Sequence, residues 1–189
     1  MEQTKKYNSS GWRSSKWLLL LLFSGIAMAQ DIDSSIKNQS LSARFPAAML
    51  EAHQENSVAK IGDFYHYLNL LSATDDKQLQ AQLKENIYAL FDDKNTLIDN
   101  FLTEKNDPMP LSYLLDNIAA RDFTFLFKPE TPKPLYFRDY WFDTYTLEWT
   151  QDGQSSARKI RQRVYLKPEE KTFGATTKAV LSVTLGGIE

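Results

Sequence analysis

Two aspartates, Asp139 and Asp143, lie inside the stretch from Tyr136 to Trp149, where Tyr136, Phe137, Tyr140, Trp141, Phe142, Tyr145 and Trp149 surround them. Side chains four positions apart on a regular strand share a face, so the two acids would project together. Sunk in an apolar cup, a carboxylate loses its hydration, its pKa rises, and it becomes a general acid or base tuned toward neutrality. Plain solvent exposure is the competing reading, with pairing to Arg138 and to the basic strand opposite worth little energy. The aromatics also divide two ways. They either pack a central strand on both sides, which is reason enough for aromatics to favour strands, or line a pocket or patch for a sugar, an apolar ligand or a partner protein. The residues that would make such a site are Tyr136, Tyr140, Trp141, Asp143, Tyr145 and Trp149.

Other chemistries lack material. The chain has no cysteine, which excludes disulfides, thiolate metal sites, a cysteine nucleophile and a lipidated cysteine. The two histidines, His53 and His66, are thirteen positions apart. On one continuous helix that separation turns through roughly 220° after whole turns, nearly opposite faces, so they would not chelate one metal. No metal or cofactor is expected. The seven glycines form no phosphate-cradling loop or nucleophile elbow. Arg158, Lys159, Arg161 and Arg163 form a basic cluster, read as a solvated outer face with cross-strand pairs to acids such as Glu148, or else as a patch for an anionic surface.

The 189 residues suit one domain of ordinary size, with 42% apolar and 24% charged residues. Lys5, Lys6, Arg13 and Lys16 precede an apolar run from Trp17, and the segment closes with Ala27-Met28-Ala29 before Gln30. Basic leader, short apolar run and small residues at −3 and −1 predict a signal peptide over 1–29, whose apolar stretch, the 13 residues Trp17–Ala29, is too short to span a bilayer, which needs about 20 residues. Cleavage there moves the chain from 22 basic and 24 acidic residues to 18 and 23. A net acidic, exported product, periplasmic or secreted, is a poor nucleic-acid binder.

What must position the aromatic strand follows from periodicity. Residues 30–56 read as a flexible lead-in, with a short helical turn over Phe45–Ala52. A single domain then spans 57–189. Ser57 is a good N-cap, and Val58, Ile61, Phe64, Tyr65, Leu68 and Leu71 form a helical stripe ending near Leu71. Asp75 and Gln78 suggest a capping box for a second helix with Leu79, Leu83, Ile87 and Leu90 on one face. A short strand at Thr96–Ile98 follows, then Asp107-Pro108-Met109-Pro110 forbids either element, then a helix runs from Leu111 to Ala119. From Asp122 the period becomes two. Strands are expected over Phe123–Phe127, Leu135–Thr150, Ser156–Lys167 and Phe173–Leu185, with a hairpin at Asp152-Gly153 and a turn over Pro168–Lys171. Phe173, Ala175, Ala179, Leu181, Val183 and Leu185 would share one face. The fold class is α+β, with N-terminal helices on a curved antiparallel sheet.

That order of elements, with Gly62-Asp63-Phe64-Tyr65 in the first helix, Ile87-Tyr88-Ala89-Leu90-Phe91-Asp92 before Thr96-Leu97-Ile98, and Val180-Leu181-Ser182-Val183 before Leu185-Gly186-Gly187-Ile188-Glu189, resembles the nuclear transport factor two-like (SnoaL-like) fold. The resemblance implies a cone-shaped, cystatin-like cup with an apolar cavity open at one end, and a homodimer pairing sheet against sheet. In isomerase-like members that cavity holds a carboxylate base and a Tyr/Asp pair, but no motif here places such residues, and fold alone does not assign function. The expectation is an exported, non-enzymatic module of the bacterial envelope that binds a small apolar ligand, a glycan or an envelope protein. Two alternatives stand beside it: a small isomerase, lyase or hydrolase using a buried carboxylate, and a structural subunit of an envelope complex.

Overall fold

The computed structural model describes residues 39–103, 107–130 and 134–189, so the expected signal peptide and the lead-in up to residue 38 lie outside the described residues. The chain divides into two compact units, Met1–Gln39 and Ser40–Glu189. Every element described belongs to the second.

Two helices open this unit. α1 is a single turn, Leu41–Arg44. It is tied down where the Leu41 amide donates to the carbonyl of Phe137 (2.7 Å) and Arg44 donates to the carbonyl of Arg138 (3.0 Å). Pro46 then precedes α2, a helix of 27 residues over Ala47–Ala73. Proline fits there because the first helical turn has no internal acceptor to offer its missing N–H. The buried face runs through Leu50, Ser57, Ile61, Phe64, Tyr65, Leu68 and Leu71, a helical stripe that crosses straight over the expected start. Ser57 is therefore no cap. It sits mid-helix and fully buried, and Leu41–Arg44 and the stretch from Ala47 onward are helical where a flexible lead-in with only a short helical turn over Phe45–Ala52 was expected. The stripe is hard to read there because Leu50 is followed by Gln54, a polar residue in an apolar slot.

α3 spans Lys77–Leu90. Its N-cap is Asp76, which accepts from the amides of Gln78 (2.8 Å) and Leu79 (3.2 Å). The cap is thus one residue later than the capping-box reading, and Leu79 faces solvent while Gln80, Leu83 and Ile87 are buried. Two short strands, β1 (Leu97–Asp99) and β2 (Pro108–Pro110), pair antiparallel, so the Pro-Met-Pro segment is a strand after all. It tolerates its prolines because it forms a two-stranded ribbon, whose outer side asks for no N–H. Met109 alone of its three residues turns inward. α4, Leu111–Ile118, follows directly, with Leu111, Leu114, Leu115 and Ile118 buried.

Among the described residues the remaining strands form one antiparallel meander in the order β3 (Thr124–Pro129), β4 (Tyr140–Gln151), β5 (Gln154–Phe173) and β6 (Thr176–Ile188). Helices precede a curved sheet, which is the expected α+β architecture. The β4–β5 turn is Asp152-Gly153, both at positive φ (52° and 76°), the requirement of a two-residue type I′ loop. β5 does not turn at Pro168. It continues in register with β6 from Val164↔Leu185 to Phe173↔Thr176, and the loop is Gly174-Ala175, with Gly174 at φ 62°. Val183 and Leu185 reach the core as expected, but Phe173 and Ala179 are exposed, because the hairpin outruns the helices that would cover it. β6 slips by one residue at Gly186-Gly187. Neither position has room for a side chain: a Cβ at Gly187 would stand 2.8 Å from the carbonyl oxygen of Leu97.

Candidate functional site

Period-two alternation splits β4 into two faces with different fates. Trp141, Asp143, Tyr145 and Leu147 point inward against α2 and are buried, whereas Tyr140, Phe142 and Thr144 point outward and are half-buried. The inward set fills the cup. Trp141, Tyr65, Tyr145, Phe64 and Phe101 each retain under 2% of their surface, and their rings pack edge-on and tilted, as between Tyr65 and Tyr145 (5.8 Å, 70°) and between Tyr65 and Phe101 (6.2 Å, 65°).

Asp143 lies within this packing at 6% exposure. Trp141 Nε1 donates to its Oδ1 (3.0 Å), and its Oδ2 meets the hydroxyl of Ser57. That same hydroxyl lies 2.7 Å from the carbonyl of Gln54, one turn earlier on α2. A hydroxyl has one proton. Ser57 therefore divides its one proton between two acceptors, Asp143 Oδ2 and the Gln54 carbonyl. Burial pushes the Asp143 pKa up, against the opposing pull of the Ser57 and Trp141 hydrogen bonds. Next to it, Tyr145 donates to Gln162 Oε1 (2.9 Å), Tyr65 lies 2.9 Å from the Tyr145 hydroxyl, and Gln162 Nε2 donates to the carbonyl of Gly186 (3.2 Å). Burial raises the pKa of both tyrosines. The side-chain polar atoms of Ser57, Trp141, Asp143, Tyr65, Tyr145 and Gln162 all have partners, so these residues form a satisfied core network.

Surface clefts leave space in several places: a wide one of about 580 Å³ lies beside Asp99, Arg163 and Glu189, and a smaller, more enclosed one lies at the rim. A cleft of about 240 Å³ is lined by Ser42, Phe45, Ala47, Leu50, Glu51, Gln54, Pro134 and Tyr136. It is built by α1, the first turns of α2 and the segment entering β4. Tyr136 stands edge-on to Trp141 (6.0 Å, 64°), and Gln54 links the cleft to Ser57 and thence to Asp143. The cleft is apolar on Phe45, Leu50 and Pro134, and Glu51 gives it a charge. Burial, the Asp143 carboxyl and the Glu51 carboxylate together raise the Tyr136 pKa, in that order.

The six residues read from sequence thus fall in four places. Trp141, Asp143 and Tyr145 are core. Tyr136 is on the cleft. Tyr140 is on the outer face, stacked on Phe137 (4.6 Å, 10°), and Trp149 lines a shallow depression with Thr124, Leu126 and Ser155. Asp139 precedes β4, keeps 38% of its side chain exposed and lies 3.9 Å from Arg138, so the two aspartates do not share a site. Solvent exposure and pairing describe Asp139, and burial describes Asp143. The cleft residues of 42–54 escaped notice because they lay in the presumed lead-in. The usable signal was Phe45-Pro46-Ala47, an aromatic and a helix-starting proline ahead of Leu50.

The basic cluster is largely paired. Glu189 takes Arg161 (3.1 Å) and Arg163 (2.5 Å), and Glu130 takes Lys159 (2.7 Å). Glu148 instead pairs with Lys128 (2.5 Å). Arg161 also lies over the Phe142 ring at 4.0 Å. His53 and His66 both lie on α2, and among the described residues no three metal-ligating side chains gather. No described helix is long and apolar enough to cross a membrane. Comparison with family models, curated proteins and solved structures returned no match.

Proposed function

We propose that this chain is an exported, non-enzymatic binding module built on a nuclear transport factor two-like cone, and that the rim cleft between α1, α2 and Tyr136 holds its ligand. The observation that carries this reading is the contrast between the filled interior and the rim cleft, which is more enclosed than the wider clefts elsewhere on the surface. The interior of the cup is occupied by Trp141, Tyr145, Tyr65 and Phe101, while the cleft above Gln54 and Tyr136 is open. At about 240 Å³ it is just below the roughly 300–1,000 Å³ of drug-sized pockets, so it suits a small amphipathic molecule or the end of a longer one. The carboxyl that an enzyme would need is Asp143, and both of its oxygens are engaged by Ser57 and Trp141.

The test uses the neutral apolar dye N-phenyl-1-naphthylamine. Its emission should rise and saturate near one equivalent, and Trp141 emission should fall as the dye seats against Tyr136. Ala47→Trp, which fills the cleft from an exposed helical position, and Tyr136→Ala should each abolish saturation with the fold intact by circular dichroism. Equal dye binding by the parent chain and both variants would remove the cleft from the account.

A further inference from the structure

Sheet edges expose unpaired backbone groups, and proteins usually close them. This sheet closes its edges in a traceable order. At β3, the Asn69 side-chain amide donates to the carbonyl of Phe125 (3.0 Å) and accepts from its N–H (2.6 Å), and Pro129 at the strand's end has no N–H to leave open. At the base of β6, the Asp92 amide donates to the carbonyl of Leu185 (2.8 Å), and Lys60 Nζ donates to that of Val183 (2.6 Å). These two odd-numbered carbonyls point away from β5. By the alternation of an antiparallel ladder, the N–H and C=O groups of Leu181, Ala179 and Thr177 point the same way. Among the described residues nothing meets them, and their side chains are exposed or half-buried.

The opposite margin of the same hairpin is treated differently. β5 outruns β4 after the Leu166 amide bonds the carbonyl of Asp139 (2.9 Å). The next residue whose N–H would face that open side is Pro168, which has none, and Glu169 and Glu170 follow. Proline and acids blunt that margin. β6 over Thr176–Leu181 carries threonines, alanine, valine and leucine with one charge, Lys178. Two-stranded ribbons exposed on both faces are marginal in water, yet this one extends beyond the helices.

We infer that the outer edge of β6, from Thr177 to Leu181, takes up an extended acidic peptide as a fifth antiparallel or parallel strand of the sheet. The open run is about 17 Å long, enough for about five residues, and strand addition of this kind draws affinity from main-chain bonds and selectivity from flanking side chains. Those flanking groups are cationic. Lys178 lies directly across from Lys171, and Lys60 reaches the same edge, where burial and the Lys171 charge lower its pKa. Glu169, which pairs with Lys171 (3.4 Å), and Asp63, whose charge reaches Lys60, offset part of the lysine charge, while Glu170, across from Ala179, lies on the other face of the ribbon from Lys178. A second copy would bring three further lysines to the same edge, whereas aspartates on an incoming strand would meet Lys178 and Lys171.

The probe is a blocked hexapeptide alternating aspartate and valine, with a lysine–valine peptide as its charge-reversed control, added to the full chain. The acidic peptide should slow amide hydrogen exchange at Thr177, Ala179 and Leu181 by at least about ten-fold at saturation, and the basic peptide should not. Ala179→Pro removes one outward N–H without touching a β5–β6 bond and should abolish binding. Lys178→Glu should weaken it by about ten-fold or more, which keeps the proposal open to refutation even if the proline variant misfolds. Unchanged exchange at those three amides, equal binding of both peptides, or a concentration-dependent dimer broken by Ala179→Pro would overturn it.

Discussion

Ser57 on α2 and Asp143 on β4, 86 positions apart in the chain, meet through their side-chain oxygens in the buried seam between helix and sheet. The contact fixes the rotation of α2 over the sheet, because Gln54 on the preceding turn shares the Ser57 hydroxyl and lines the rim cleft. Core polarity and cleft shape are therefore coupled through one hydroxyl.

Replacing Asp143 tests its protonation. Burial raises its folded-state pKa above the ordinary 3.8, so the folded chain keeps a proton that the unfolded chain has released. The associated stability is fully present below the unfolded pKa and declines as pH rises toward the folded value. Asp143→Asn keeps both hydrogen bonds and lacks this titration. Urea midpoints measured from pH 4 upward should fall less steeply for the variant than for the parent. Asp143→Leu leaves Ser57 and the Trp141 N–H competing for partners and should cost about 1–3 kcal/mol. Parallel pH profiles for Asp143→Asn and the parent would refute a raised Asp143 pKa.

Tyr145→Phe deletes the hydroxyl that joins Tyr65 to Gln162. Two buried polar groups lose their partner, and the expected loss is about 1–3 kcal/mol in chemical denaturation. Tyr65→Phe alone should cost less, because Tyr145 still donates to Gln162. The double variant should cost less than the two losses added, the mark of groups acting in one chain of hydrogen bonds. Strict additivity would show that the tyrosines act independently.

Gly187→Ala places a methyl 2.8 Å from the Leu97 carbonyl oxygen, where β6 slips in register and β1 crosses it. Backbone must shift, and an overpacked site of this kind costs about 1–3 kcal/mol. Gly153→Ala, at the solvent-exposed hairpin with open space around it, meets only the penalty of its positive φ, about 1 kcal/mol. Thermal melts should rank the two in that order; the reverse ranking would contradict the close approach at Gly187.

Much of the fold was legible because it rests on local pattern. Asp75 and Gln78 mark the entry of α3 to within a residue of its cap, Asp76, Asp152-Gly153 sets its hairpin, and Leu111–Ile118 carries its own apolar face. What failed was non-local. Pro168-Glu169-Glu170-Lys171 has the composition of a turn, and it lies in a strand because β4 has ended and no neighbour asks Pro168 for an N–H. The Tyr136–Trp149 stretch stands out by composition, yet its residues scatter to core, outer face and rim, because alternation decides direction and only α2 decides which direction is inside. The burial of Asp143 depends on Ser57, and nothing near either residue announces the other.

The most direct measurement follows backbone and side-chain NMR shifts as N-phenyl-1-naphthylamine is titrated into the chain. Binding at the rim should move Phe45, Leu50, Gln54 and Tyr136 and leave the Gln162 side-chain amide in place. Shifts centred on Gln162 and the Tyr65–Tyr145 pair, with the rim unmoved, would place the ligand inside the cup and contradict a self-filled interior.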